Sequence, residues 1–168
     1  PLTELIIHPR VLKDFYKYNV RMNAFKEGFE KSRHSVCYNG DIFRRKDYDR
    51  LVKEYPDLDK IMMGRGIMMN PFLMEEIADG TSQEVSGKMT AARKADRLEK
   101  FHRLLCDGYA HVMSGDRPVL FKMKELWGFL IHSCPEEEKL MKKIRKAQHL
   151  AEYERVVSEL FCRMREHE

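Results

Sequence analysis

Lys60-Ile61-Met62-Met63-Gly64-Arg65-Gly66-Ile67-Met68-Met69-Asn70-Pro71-Phe72-Leu73 sets the pattern by which the first half of the chain is read. Its first four residues predict a short strand and Gly64-Arg65-Gly66 a turn that closes it. Pro71 to Ala78 then predicts a helix with proline in its first turn and Gly80 just beyond its end. Toward the N-terminus the same order recurs twice. Ser35-Val36-Cys37-Tyr38 is a strand candidate closed by Asn39-Gly40-Asp41, a tripeptide that tolerates turn geometry. Asp47 to Tyr55 follows with Tyr48, Leu51, Val52 and Tyr55 at helical spacing, until Pro56-Asp57 stops it. Leu5-Ile6-Ile7 is a brief apolar run ended by His8-Pro9-Arg10. Val20 to Ser32 reads as an amphipathic helix capped by Asn19, with Val20, Ala24, Phe25 and Phe29 on one side. Strand and helix alternating at roughly 25 to 30 residues predict parallel βαβ units.

Beyond Thr81 to Gly87, which reads as a linker, the periodicity turns wholly helical. Helices are expected over Thr90 to Met113, Pro118 to His132 and Pro135 to about Arg165, the last broken near Ala147-Gln148. The expected fold class is therefore α/β plus all-α, with the α/β part over residues 1–84 and the helical part over 85–168.

The chain has 168 residues, 43% of them hydrophobic, which suits a protein that buries a core and excludes a disordered one. No apolar run reaches the roughly 18 to 20 residues that span a bilayer, and Pro1-Leu2-Thr3-Glu4-Leu5 lacks the basic flank of a signal peptide, so a cytoplasmic protein without a membrane partner is expected. Cys37, Cys106, Cys134 and Cys162 are scattered, form no CxxC pair and make no metal-ligand cluster with histidine, so reduced thiols and no metal site are expected. Lysine plus arginine number 31 against 27 acidic residues. The net charge of +4 is compatible with a polyanionic partner and too small to specify one. A strand that begins almost at Pro1 predicts further strands upstream.

Parallel topology puts the turns Asn39-Gly40-Asp41 and Gly64-Arg65-Gly66 on one rim, together with His8 at the end of the preceding strand. Glycine lets backbone N–H groups approach a phosphate closely. In (β/α)8 barrels a phosphate site often lies on the loops after strands seven and eight. Each glycine taken singly also suits a plain strand-to-helix turn, and His8 a structural role. Asn39 and Asp41 suit hydrogen bonds to ribityl hydroxyls, and Asp41 equally suits a helix cap. In the helical part, Arg93, Lys94, Arg97, Lys100 and Arg103 recur along one helix, with Arg117, Lys122 and Lys124 on the next. Such density can neutralise RNA phosphates, while a solvated face with ion pairs such as Asp96 with Lys100 explains the same charges. Phe121 and Trp127, spaced with Leu120 and Leu130, read as core. Glu136-Glu137-Glu138 suits a helix N-terminus.

Ile6-Ile7-His8-Pro9-Arg10, Tyr38-Asn39-Gly40-Asp41-Ile42, Met62 to Leu73, and Arg117-Pro118-Val119-Leu120-Phe121-Lys122-Met123-Lys124-Glu125-Leu126-Trp127 together resemble the tRNA-dihydrouridine synthase family, in order and spacing across nearly the whole chain. The Gly-Arg-Gly block running into Asn70-Pro71-Phe72 is the most specific piece. The resemblance implies a partial (β/α)8 TIM barrel, its last three strands, followed by a helical tRNA-binding bundle. It implies FMN, with phosphate contacts carried to His8, Asn39, Gly40, Asp41, Gly64 and Arg65. It further implies NADPH as reductant, uridine in tRNA as substrate, and a helical domain that holds tRNA, for which the basic pattern offers Arg93, Lys94, Arg97, Lys100, Lys122 and Lys124. In the family pattern a cysteine protonates the uracil ring and a lysine contacts the flavin. Both fall upstream of Pro1, so no catalytic residue is assigned here. The chain alone is expected to bind FMN poorly, to lack activity, and to need the N-terminal half of the barrel or self-association. A non-catalytic RNA-binding module, or another FMN- or sugar-phosphate-binding TIM-barrel oxidoreductase, remains open from the residues alone.

Overall fold

The computed structural model describes residues 2–78 and 89–166. The chain divides into two compact units, Pro1–Ile67 with Phe72–Ser82 and Met68–Pro71 with Gln83–Glu168. The expected linker Thr81 to Gly87, the 84/85 boundary and the stop at Gly80 lie outside the described residues.

In the first unit three parallel strands, β1 (Glu4–Ile7), β2 (Ser35–Tyr38) and β3 (Lys60–Ile61), form a sheet in the order β1-β2-β3. Ile6 is in register with Cys37, and Cys37 with Lys60. Helices α1 (Met22–Lys31) and α2 (Arg45–Glu54) connect consecutive strands. Strand side chains alternate between faces. Val36 and Tyr38 join Phe25, Leu51, Tyr55 and Leu73 in the core. Phe25 anchors it, with its ring edge-on to Tyr38 at 4.8 Å and to Tyr55 at 5.1 Å. On the opposite face Ile6 and Met62 stay exposed, and Glu4 pairs with Lys60.

Several local expectations change. Asn19 does not cap α1, which begins at Met22 without a side-chain cap, because the preceding residues are taken up elsewhere. A 3-10 turn at Leu12–Asp14 buries Asp14, whose carboxylate receives Val11 N at 3.0 Å and both terminal nitrogens of Arg21. The Arg21 guanidinium, as the main cause, holds the Asp14 carboxyl below its ordinary range. Strand β3 is shorter than the sequence suggests. Gly64-Arg65-Gly66 does not form a plain turn, since Arg65 and Gly66 open helix α3 (Arg65–Met69). Pro71 precedes α4 (Leu73–Ala78) and lies outside it. Arg45 of α2 donates to the carbonyls of Glu76 and Ile77 at 3.1 Å each, which satisfies acceptors that a helix end leaves open.

The second unit contains α5 (Ala91–Val112), α6 (Asp116–Leu130), α7 (Glu138–Lys146) and α8 (Leu150–Glu166). Thr90 caps α5, accepting Arg93 N at 3.2 Å. Helix α6 starts two residues before the expected Pro118, because proline is tolerated in a first turn where no N–H is needed. The expected break falls at Ala147, where extended backbone ends α7 and Glu152 then accepts Gln148 N at 3.0 Å. Trp127, Leu98, Met123, Leu130, Tyr153, Leu160 and Phe161 are fully buried. Phe121 departs from the core reading: it is 57% exposed, with Arg117 one turn earlier lying 5.7 Å over its ring. Tyr153 binds two buried neighbours, receiving Trp127 Nε1 at 2.8 Å and lying 2.5 Å from His102 Nε2. With the indole as donor, the tyrosine hydroxyl proton goes to His102, so the imidazole is neutral and accepts at Nε2. Burial lowers the His102 pKa from 6.5 to about 4.

Candidate functional site

The C-terminal ends of β1, β2 and β3 bring together residues from three separated stretches of sequence, as parallel topology requires. Asn39 N donates to Ile7 O at 2.9 Å and Met62 N to Tyr38 O at 2.8 Å, so the ladder carries each chain to the rim. His8 leaves β1 there and its Nδ1 donates to the Asn39 carbonyl. That bond fixes the tautomer: Nε2 accepts in the neutral ring and donates only from the imidazolium.

Asp41 is the hub of the rim. Its Oδ2 accepts from Arg10 and its Oδ1 from Arg65 Nη2 at 2.6 Å. It does not cap α2, which has no side-chain cap; Asp47 in its first turn instead reaches back to accept Phe43 N and Arg44 N at 3.1 Å each. The Arg10 side chain is only 4% exposed, donates a second time to the Tyr18 carbonyl and keeps its Nε buried without a partner. The Arg65 guanidinium lies 4.1 Å from the ring centre of Tyr16 and 5.3 Å from that of Phe43, within cation–π range. Tyr16 and its neighbour Phe15 have φ of 61° and 43°, a left-handed conformation that is uncommon for bulky side chains.

The glycines play different parts. A Cβ on Gly66 would fall 1.9 Å from the Ile42 carbonyl oxygen, so this position is glycine for close packing. At Gly40 a Cβ would fall 2.0 Å from Tyr38 Oη. Gly64 is exposed, and a Cβ there would meet nothing within 4 Å, leaving open space beside Arg65. An open glycine next to an arginine fork, on a rim that also carries His8, is a donor set that fits a phosphate monoester such as that of FMN.

All six expected cofactor residues thus lie on or beside one rim, and Arg10, Tyr16 and Phe43 join them. Arg10 and Phe43 are each two residues from an expected site residue, His8 and Asp41, and alternation along an extended chain was the signal available. Tyr16 had none, because its ring arrives through an irregular loop. Cys37, Cys106 and Cys134 are buried and Cys162 is exposed on α8. Burial, as the leading cause, raises the Cys37 thiol and pushes the Cys134 thiol up to about 12, so neither is a ready proton donor or nucleophile. Among the described residues no group of acidic, histidine or cysteine side chains is arranged for a metal, and no helix is long and apolar enough to cross a membrane.

The expected RNA-binding residues divide. Arg93, Arg97 and Lys100 are exposed on α5, and Lys122 is exposed on α6 with its ammonium 3.0 Å from Glu125. Lys94 and Lys124 are half-buried, donating to the Ser133 carbonyl at 3.1 Å and the Ala147 carbonyl at 2.8 Å. Asp96 does not pair with Lys100. Arg165 of α8 takes both Asp96, at 2.8 Å, and Glu99.

A family model described as dihydrouridine synthase (Dus) matches residues 2–164. A tRNA-dihydrouridine(47) synthase [NAD(P)(+)] of Aspergillus terreus (strain NIH 2624 / FGSC A1156) is 36% identical over 63 residues, 38% of this chain and 8% of that protein. The chain thus matches a small part of a much longer relative. With the family pattern running through both units, this chain belongs to the dihydrouridine synthase family.

Proposed function

We propose that the chain provides the FMN-phosphate rim and the tRNA-holding helices of an FMN-dependent tRNA-dihydrouridine synthase, which reduces uridine in tRNA to 5,6-dihydrouridine with NADPH. The observation that carries this reading is the convergence of His8, Asn39, Asp41 and Arg65 at the ends of three adjacent parallel strands. That is where the last strands of a (β/α)8 barrel place a phosphate. The exposed Ile6 and Met62, on the sheet face away from the helices, then belong to the barrel interior, and the free edges of β1 and β3 pair with other barrel strands.

In this arrangement Gly64 gives the phosphate room, His8 and Arg65 bind its oxygens, and Gly40 keeps its turn compact against Tyr38. FMN held at this rim would supply the hydride-transfer chemistry that links NADPH to the uracil C5–C6 double bond. Cys37, the one cysteine of the strand unit among the described residues, is buried in β2 with its thiol pKa raised by burial, so it does not supply the proton. Arg93, Arg97 and Lys100, with Lys122, hold tRNA phosphates. Arg165 assists by neutralising Asp96 and Glu99, which would otherwise repel RNA from the same helix.

The test is Gly64→Asp in the intact protein that carries this chain. A carboxylate placed in the open space beside Arg65 opposes the phosphate in a partly desolvated site, and flavin absorbance of the purified variant is expected to disappear. Flavin content equal to wild type would remove Gly64 from the site.

A further inference from the structure

Asp41 invites direct hydrogen bonding to a ligand, yet both of its oxygens already serve arginines, Arg10 on one and Arg65 on the other. Arg10 brings little else to the rim: its side chain is almost completely buried and its Nη1 holds the Tyr18 carbonyl. Arg65 differs. Its side chain is 28% exposed, and Asp41 is its hydrogen-bonding partner among the described residues. A guanidinium has five N–H donors in a rigid fork, so one edge held by Asp41 leaves the rest available. Tyr16 and Phe43 restrict the plane of that fork.

We infer that Asp41 is a positioning residue: it takes its bearing from buried Arg10 and aims the Arg65 guanidinium at an anionic ligand, touching no ligand itself. The inference rests on the proposed reading of the rim as a phosphate site. Arg10 and Arg65 contribute two positive charges and Asp41 one negative, so the trio carries net +1 and can attract an anion while its carboxylate is masked. The left-handed backbone at Phe15 and Tyr16 carries the largely exposed Tyr16 ring onto the Arg65 guanidinium.

Positioning and simple electrostatics predict opposite signs. Neutralising Asp41 raises the local charge to about +2, which by Coulomb attraction alone tightens anion binding. Loss of the aim weakens it. The experiment compares wild type, Asp41→Asn, Asp41→Glu, Arg65→Gln and the Asp41→Asn/Arg65→Gln double variant in the intact protein. FMN and riboflavin affinities are read by flavin fluorescence, and the order of Arg65 by its Nε–H NMR signal. Asp41→Asn is expected to weaken FMN roughly tenfold, the scale of one charge-assisted hydrogen bond. Riboflavin, which lacks the phosphate, should be unaffected, and Asp41→Glu should recover part of the loss. The double variant should bind no worse than Arg65→Gln, because Asp41 acts through Arg65.

FMN bound as tightly as, or more tightly than, in wild type by Asp41→Asn would overturn the inference. An equal loss for riboflavin would also overturn it and make Asp41 a ribityl ligand. If wild type binds neither flavin, the phosphate-site reading fails, and the NMR signal still decides the positioning: an Arg65 resonance that broadens in Asp41→Asn upholds it, and one that stays sharp sinks it.

Discussion

Each unit holds one polar cluster set among aromatic rings, and the two are built on opposite terms. At the strand ends, Asp41, Arg10 and Arg65 are charged, leave one positive charge over and keep Arg65 part-exposed. In the helical unit, His102, Tyr153 and Trp127 are neutral, buried and closed on one another. A buried charge without a partner is expensive, whereas a neutral network in which every donor finds an acceptor costs little and fixes one packing. The rim keeps its surplus charge part-exposed to water, whereas the His102–Tyr153–Trp127 network ties helices α5, α6 and α8 together inside the unit. Under the proposed function the first cluster is the site and the second the scaffold.

The largest effect should come from the ground beneath the rim. Gly66→Ala places a methyl 1.9 Å from a backbone carbonyl, and no side-chain rotation relieves it. We expect a loss of about 3 kcal/mol or more, at the upper end of overpacking costs, seen as a lower midpoint in urea unfolding followed by Trp-independent far-UV dichroism. A neutral outcome would mean that the loop at Ile42 and helix α3 are free to separate, and would weaken the case for a preformed rim.

Acid should act on the other cluster. The folded pKa of His102, about 4, lies below its ordinary 6.5, so between these values the unfolded chain takes up a proton that the folded chain refuses. This contribution to stability is complete above about pH 6.5, falls by at most about 1.4 kcal/mol per pH unit and is exhausted near pH 4, a total of about 3 kcal/mol. Trp127 fluorescence in urea melts across this range should report it, since the indole is part of the network. A slope that persists unchanged in His102→Phe would assign the effect elsewhere.

The smallest effects belong to the helix surface. Reversing Arg93 and Lys100 to glutamate should reduce the salt slope of tRNA binding by roughly two units, one for each phosphate no longer neutralised, without altering flavin content. Lys94→Met is the control: its ammonium serves the Ser133 carbonyl, so stability should fall by about 1 kcal/mol while the salt slope stays. An unchanged slope in the double reversal would return α5 to a solvated face.

Much of this was legible in the residues. Strand β2 falls where Ser35 to Tyr38 predicts it, the three strands are parallel, and α5, α7 and α8 end close to their predicted bounds, because period and punctuation are local properties of the chain. His8, Asn39 and Asp41 could be set on one rim because parallel topology admits no other arrangement of strand ends. The errors arose where partners distant in sequence decide. Asn19 looked like a cap, yet Asp14 and Arg21 reshape the segment around it. The bonds of Lys94 and Lys124 to the Ser133 and Ala147 carbonyls were likewise invisible in the local pattern.

The sequence by itself determined the alternation of strands and helices and the residue types available at their ends, since hydrophobic period, proline and glycine act over a few residues. Only the tertiary structure decided how those residues spend their bonds. Asp41 is 31 residues from Arg10 and 24 from Arg65, and no local rule says that a carboxylate will hold two arginines instead of a ligand. That choice depends on which groups burial has already removed from water, and burial is fixed by the whole fold.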